Sequence, residues 1–226
     1  MIRTLYLARV LVLAAFAAAF SWPAAAQSPH THQHRFEDAE RWARVFDDPE
    51  RDAWQKPHEV IQALKLAPDA KVADLGAGTG YFAVRLANMV PKGRVYAVDV
   101  EPDMVKYLGE RARREKLPNM VAVQGTPADP QLPEKVDVVM LVDVYHHIED
   151  RTEYFRRLAS SLASGARVAV IDFKLDAPAG PPRAARIPPG QVKDELARAG
   201  LRLVEEHGFL PHQYFLVFDA QGGRRS

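Results

Sequence analysis

The 226-residue chain contains no cysteine, which excludes disulfides, a lipid-modified cysteine anchor and thiolate chemistry. It has no extended basic run and no alternation of basic with aromatic residues, so nucleic acid is not expected as a partner. The local group Arg111, Arg113, Arg114 and Lys116 reads instead as the solvated face of a helix. Long hydrophobic runs are missing as well. The apolar stretch from Val10 to Phe20 has eleven residues, where a membrane-spanning helix needs about 20. Ser160 and Ser161 lie in a helical pattern without a glycine elbow, which leaves a serine hydrolase without support.

What stands at the N-terminus is an export pattern. Arg3 and Arg9 precede the apolar run, and Ser21, Trp22, Pro23 and the small residues Ala24 to Ala26 follow it, as in a secretory signal peptide cleaved after Ala26. The mature chain would begin at Gln27 in the periplasm or outside the cell, with 28 basic against 29 acidic residues and no stable membrane span. An uncleaved leader acting as a membrane anchor is the alternative. His30, His32 and His34 alternate, so an extended chain would align their imidazoles. No carboxylate or cysteine lies within the triplet, and a polar tail is the expected reading, with no metal site.

The whole chain is 47% hydrophobic, and the part after the leader suits one α/β domain. Residues 27–56 are expected to form a tail and a cap helix, with Trp42, Val45, Phe46 and Trp54 either covering a ligand mouth or packing on the sheet. From Pro57 onward, strand and helix patterns alternate. Strands are expected at Lys71 to Leu75, Arg94 to Val98, Met120 to Gln124, Val136 to Leu141 and Arg167 to Phe173, then a hairpin of Arg202 to His207 and Tyr214 to Phe218. The intervening helices place Phe82, Leu86, Met89 and Val90, then Val105, Leu108 and Ala112, then Phe155, Leu158 and Leu162, on buried faces. This order implies right-handed crossovers and a mostly parallel sheet. Five prolines and two glycines between Leu175 and Gly190 mark a loop beyond a strand tip, a substrate lid or a stiff linker.

The most informative stretch is Val72 to Phe82, VADLGAGTGYF, an apolar strand that reaches Asp74 and opens into a glycine turn. In an open α/β sheet such turns lie at the carboxyl ends of strands, where bare backbone approaches a ligand. A phosphate-binding P-loop requires Lys and then Ser or Thr after the last glycine, but Tyr81 and Phe82 follow Gly80. A dinucleotide fingerprint requires a glycine where Tyr81 stands, which disfavours NAD. The segment resembles the acidic, glycine-rich loop of class I S-adenosylmethionine-dependent methyltransferases, with Asp74, Gly76, Gly78 and Gly80 at the matching places. Asp99 ends the next strand nineteen residues past Gly80, a spacing that suits an acid bonding ribose hydroxyls. Its other use would be to cap the helix opening near Glu101 and Pro102.

The resemblance spans roughly residues 60–218. It implies a Rossmann-like fold with a seven-stranded, mostly parallel sheet, an antiparallel C-terminal edge hairpin and helices on both faces, in a domain running over 57–226. It implies S-adenosylmethionine as cofactor, with Asp74, Gly76, Gly78 and Gly80 at its amino-acid end and turn, Asp99 on the ribose, Val100 flanking the adenine, and Thr126 or Asp129 at the adenine amine. The segment Asp137 to Asp150, DVVMLVDVYHHIED, is similar to the histidine-rich loop of small-molecule enzymes of quinone biosynthesis. There Asp143 would bond the cofactor ammonium, Tyr145 would contact the acceptor, and His146 would take the acceptor's proton, since imidazole titrates near neutral pH. His147 reads as a cap or backbone partner. Absence of cysteine weighs against arsenite methylation. The expected activity is methyl transfer to a small molecule; an exported, non-catalytic protein binding a nucleoside-type ligand is the alternative. Leader and cradle point to different compartments, because the cofactor is made in the cytoplasm.

Overall fold

The computed structural model describes residues 38–220. The leader over 1–26 and the triplet His30, His32 and His34 lie outside the described residues. In chain order the elements are α1 (Ala39–Phe46), α2 (Arg51–Gln55), α3 (Pro57–Ala63), β1 (Lys71–Leu75), α4 (Tyr81–Met89), β2 (Arg94–Asp99), α5 (Pro102–Arg114), β3 (Met120–Gln124), β4 (Val136–Val142), α6 (Arg151–Leu158), β5 (Leu162–Phe173), α7 (Pro189–Arg198), β6 (Leu201–His207) and β7 (Gln213–Ala220). They build one seven-stranded sheet in the order β3-β2-β1-β4-β5-β7-β6. Strands β3 to β5 pair in parallel, whereas β7 runs antiparallel to both β5 and β6. This is the sheet that the sequence pattern implies, with β7 rather than β6 laid against β5.

Side chains of the central strands alternate between two apolar layers, as the pleat requires. Val138, Met140 and Val142 of β4 and Ala169 and Ile171 of β5 join Val60, Leu86 and Leu108 on one side. Val139, Leu141, Val168 and Val170 join Phe155, Leu158, Val192 and Leu196 on the other. A strand covered on both faces has no polar position to spare, which is why these segments read as continuous Val-, Leu- and Ala-rich runs. Among the described residues no helix is long and apolar enough to cross a membrane.

Three helix faces differ from their sequence expectation, one of them α6, which ends at Leu158 so that Leu162 opens β5 instead of closing the helical stripe. Met89 is 43% exposed while Leu86 is fully buried; α4 ends at Met89, so the apolar stripe is completed by Val90 in the cap. On α5 the buried row is Met104, Leu108 and Ala112, with Val105 only half-buried.

Chain order and sheet order together locate the functional end. The chain leaves β1 toward β2 and β3, then returns to the other side of β1 as β4. The crevice between the tips of β1 and β4 is therefore the topological switch point, where ligands of open α/β sheets bind. The buried faces are tested by a pair of substitutions: Leu86→Ala should cost about 2–5 kcal/mol in urea unfolding, and Met89→Ala should stay within about 0.5 kcal/mol.

Candidate functional site

The glycine turn folds across the tip of β2. The Ala77 amide donates to the Val98 carbonyl at 2.9 Å, and the Gly78 amide donates to Asp99 Oδ2 at 2.8 Å. Asp99 Oδ1 accepts from the Glu101 amide at 3.0 Å, but the N-cap of α5 is Glu101 and no side chain caps the helix, so the helix-capping use read from the sequence is not present. Each carboxylate oxygen carries a second lone pair, which leaves capacity for ribose hydroxyls. Val100 beside it is 47% exposed, and its carbonyl accepts from Gln124 Nε2 at 2.8 Å. Gly76 has φ of +67°, and a Cβ there would stand 2.3 Å from Val144 Cγ2. Only a residue without a side chain lets this turn pass so close to the chain leaving β4.

Helix α1 covers the turn. A Cβ on Gly78 would lie 3.4 Å from the Phe46 ring, and Phe46 stacks on Trp42 with centroids 5.2 Å apart. Arg111 pairs with Asp47 at 2.7 Å and donates to the Thr79 carbonyl at 2.8 Å. Arg111 is thus not part of a solvated basic face, as the sequence suggested. It joins α5, the end of α1 and the glycine turn, while Arg113, Arg114 and Lys116 remain exposed.

Asp74 lies beneath the turn and is buried. Its Oδ2 has no partner among the described residues. Burial raises its pKa from 3.8 to about 7, against the opposing pull of Arg51, with Asp99 adding repulsion. Thr126 and Asp129 close a small turn after β3. The Thr126 amide donates to the Asp129 carbonyl at 2.8 Å, the Asp129 amide to Thr126 Oγ1 at 3.0 Å, and the Gln131 amide to Asp129 Oδ1 at 2.6 Å.

The tip of β4 carries the second half of the site. Asp143 adopts φ of +60°, a conformation that costs a non-glycine residue about 1–3 kcal/mol and is typical of functional sites. Its amide donates to the Ile171 carbonyl at 2.9 Å. Its carboxylate accepts from Gln55 Nε2 at 3.2 Å and from Gln213, and lies 3.9 Å from the Arg51 guanidinium. Gln55 also donates to Gln213 at 3.1 Å. Burial and the nearby Asp172 raise the Asp143 pKa; Arg51, Gln55 and His146 act in the opposite sense. Arg51 additionally donates to the Phe46 carbonyl at 2.8 Å and lies 4.1 Å from the Tyr81 ring centre.

His146 faces Asp172 at the end of β5. Its Nδ1 lies 3.0 and 2.9 Å from the two carboxylate oxygens, and its backbone amide donates to Oδ2 at 3.2 Å. Asp172 is 1% exposed and is held by the Phe173 amide at 2.7 Å. With a carboxylate as acceptor, Nδ1 carries the proton and Nε2 the lone pair. His147 is exposed and sets its ring 4.1 Å from that of His146, tilted by 39°.

Tyr145 corrects the sequence reading. It is fully buried in the apolar layer containing Phe155, and its hydroxyl donates to Glu195 Oε2 at 2.5 Å. Arg151 Nε holds the same oxygen at 2.7 Å. The short helical turn of residues 145–147 points Tyr145 into the core, so it anchors the turn and does not contact an acceptor.

Arg51, Gln55, Asp172 and Gln213 were not singled out from the sequence. Asp172 alone carried a usable signal, an acid inside the apolar run of β5. Gln55 and Gln213 are 88 and 70 residues from Asp143 and have no motif around them.

The loop after β5 is a tied structure. Arg186 Nε donates to the Pro181 carbonyl at 2.8 Å, its Nη1 to those of Lys174, Leu175 and Ala177 at 3.1, 3.3 and 2.7 Å, and its Nη2 to that of Ala179 at 3.1 Å. One side chain thus satisfies five carbonyls that prolines and exposure would otherwise leave to solvent. In Arg186→Ala, hydrogen exchange should quicken about tenfold or more over residues 174–186, with amides of β1 to β5 keeping their protection.

Comparison with known proteins bears on the fold. Residues 72–165 match the family described as "Methyltransferase domain". The chain is 29% identical over 132 residues to trans-aconitate 2-methyltransferase of Rhodopseudomonas palustris (strain BisB5), a match covering 58% of this chain and 48% of that protein. It is 28% identical over 162 residues to protein-L-isoaspartate O-methyltransferase of Aeropyrum pernix, covering 66% and 57%. The chain thus spans about half the length of such curated relatives. Among solved structures, a SAM-dependent methyltransferase from Aquifex aeolicus superposes with a TM-score of 0.74 at 25% identity, covering 80% of this chain and 98% of that one. Magnesium protoporphyrin IX methyltransferase from Synechocystis PCC 6803 with bound SAM shares the fold, with a TM-score of 0.62 at 20% identity, covering 83% and 93%. The chain is therefore built on the fold of the S-adenosylmethionine-dependent methyltransferases, and its segment 72–165 is that of the methyltransferase domain family.

Proposed function

We propose that the protein is an S-adenosylmethionine-dependent methyltransferase acting on a small molecule whose nucleophile carries a proton. The observation that carries this reading is the meeting of the Asp99-held glycine turn with the Asp143 and His146–Asp172 tip at the switch point. The residues fit the cofactor: a cradle that a Cβ at Gly76 would fill, a buried Asp74 oxygen without a partner, and an acid at the β2 tip. Asp99 would hold the ribose, Val100 would flank the adenine, and the Thr126–Asp129 turn would lie at its rim. Asp143 would receive the amino acid's ammonium and Arg51 its carboxylate. Bound S-adenosylmethionine supplies an electrophilic methyl on a good leaving group, so the protein's share is mainly orientation and proton removal. Asp172 fixes His146 with Nε2 available, and Nε2 takes the acceptor's proton. Export behind residues 1–26 is proposed on the sequence pattern.

Calorimetric titration of the folded protein with S-adenosylmethionine and S-adenosylhomocysteine tests the cofactor, with Asp99→Ala as control. Binding lost in the variant supports the reading, and no binding to the folded wild type rejects it. His146→Ala should slow turnover by about 100-fold or more and leave S-adenosylhomocysteine affinity within about twofold. Asp172→Asn should show the same split with a smaller loss.

Asp74 adds a pH dependence. Its pKa is raised in the fold to about 7, so between its ordinary value and pH 7 the empty fold holds a proton that the unfolded chain does not. Stability of the empty protein therefore falls as pH rises through that window. A cation in the site favours the ionised carboxylate, so affinity moves the other way. S-adenosylmethionine affinity should weaken by up to about tenfold per unit as pH falls below about 7, and Asp74→Asn should flatten that profile in calorimetry.

A further inference from the structure

Resting on the methyltransferase reading, we infer that Tyr81 is a positioning residue whose ring sets the Arg51 guanidinium to receive the carboxylate of the cofactor's amino-acid end. The residue directly after the glycine turn is where a dinucleotide fingerprint would place its third glycine. Here that place is filled by Tyr81, which opens α4 and is 3% exposed. The centre of its ring lies 4.1 Å from the guanidinium carbon of Arg51 and 4.0 Å from that of Arg85.

The two cations differ in what satisfies them. Arg85 Nη2 donates to both carboxylate oxygens of Asp52, at 3.1 and 3.3 Å, and its Nη1 to the Tyr81 carbonyl at 2.7 Å. Asp52 also accepts from the Tyr81 hydroxyl, which anchors the far edge of the ring. Burial, and then this bond, raise the pKa of the phenol, so the ring stays neutral. Arg51 has no such acid. Its Nε donates to Gln55 and its Nη1 to the Phe46 carbonyl at 2.8 Å, while Nη2 stands 3.9 Å from Asp143, beyond hydrogen-bond reach. Among the described residues Nη2 donates no hydrogen bond, although the side chain is only 16% exposed. A guanidinium offers its donors along a planar fork, so the Nη2 end, on the Asp143 side, is left with donors for a carboxylate.

A ring face attracts a guanidinium most where water is excluded, and a flat surface against the planar group restricts rotations that a long side chain would otherwise keep. Tyr81 thus couples the glycine turn, which it follows, to α2, which carries Arg51. The residues proposed for ribose and adenine, Asp99 and Val100, are not in this cluster. The ring therefore governs affinity for a nucleoside that carries an amino-acid tail and is indifferent to one that lacks it.

The test titrates two probes by calorimetry, S-adenosylhomocysteine and 5′-methylthioadenosine, an adenosine thioether without the amino-acid tail. Arg51→Ala should lower the preference for S-adenosylhomocysteine by about tenfold or more. Tyr81→Leu should lower it by about tenfold while 5′-methylthioadenosine affinity stays within about twofold, and Tyr81→Phe should keep the preference within about threefold. In the Arg51→Ala background, Tyr81→Leu should lower it no further. Should Tyr81→Leu fail to fold, as judged by thermal unfolding, Tyr81→pentafluorophenylalanine replaces it; that ring keeps the shape but its face repels a cation, and the same loss is expected. No preference in the wild type, an unchanged one in the folded variant, a loss shared equally by both probes, or a further loss in the Arg51→Ala background would overturn the inference and leave the cofactor reading intact. Failure of the wild type to bind either probe would overturn the cofactor reading, and this inference with it.

Discussion

The contact on which the site depends is the approach of Gly76 to Val144, too close for any Cβ. It brings the turn after β1 against the chain leaving β4, so that two strand tips serve one crevice. The sheet order makes these strands neighbours, but neighbouring strands alone do not make a site. Backbone amides must crowd the crevice from one side while side chains enter it from the other. The glycine turn supplies the first through its bond to Asp99, and the strained residue Asp143 opens the second. A Cβ at Gly76 would push the halves apart and lose both.

Burial of charge is the second constraint. Asp74, Asp143 and Arg51 are each shifted toward their neutral forms by desolvation, a cost that a fold selected only for stability would avoid. Arg51 and the two glutamines partly offset it at Asp143, whereas one oxygen of Asp74 is left without a partner among the described residues. Such an arrangement is destabilising when empty and favourable once a group of complementary charge enters. Preorganised charge of this kind is how a binding site stores interaction for its ligand. The same reasoning applies to Asp172, whose carboxylate is committed to His146 and two backbone amides and has no role in the core around it.

Legibility in the sequence followed the range of each signal. The strand order and the glycine turn were readable because they rest on local periodicity and on spacing within a few dozen residues, as with Asp74, Gly76 and Asp99. Asp143 and His146 were readable as residues beyond a strand tip. Tyr145 was misread because an extended tip and a tight helical turn send successive side chains in different directions, and only the turn buries Tyr145 against Glu195. Arg111 was misread because the acid that pairs with it, Asp47, lies 64 residues away. Gln55, Gln213 and Arg51 were silent: none belongs to a periodic pattern, and their function arises from a meeting of α2 with β7 that no local rule encodes.

The same distribution of contacts separates two halves of the candidate site. One half is built from the tips of β1 and β2 with α1, and Arg111 joins the end of α1 to the glycine turn. The opposite half is built from α2, the end of β5 and the start of β7, with Arg186 and Lys174 as its braces. The two halves share the polar cluster at Asp143 and the guanidinium of Arg51, and Asp52 of α2 also accepts from Tyr81 just after the glycine turn. Changes at Asp143 or Arg51 therefore reach both halves. Among the described residues the division is carried by side chains that reach across the sheet tips.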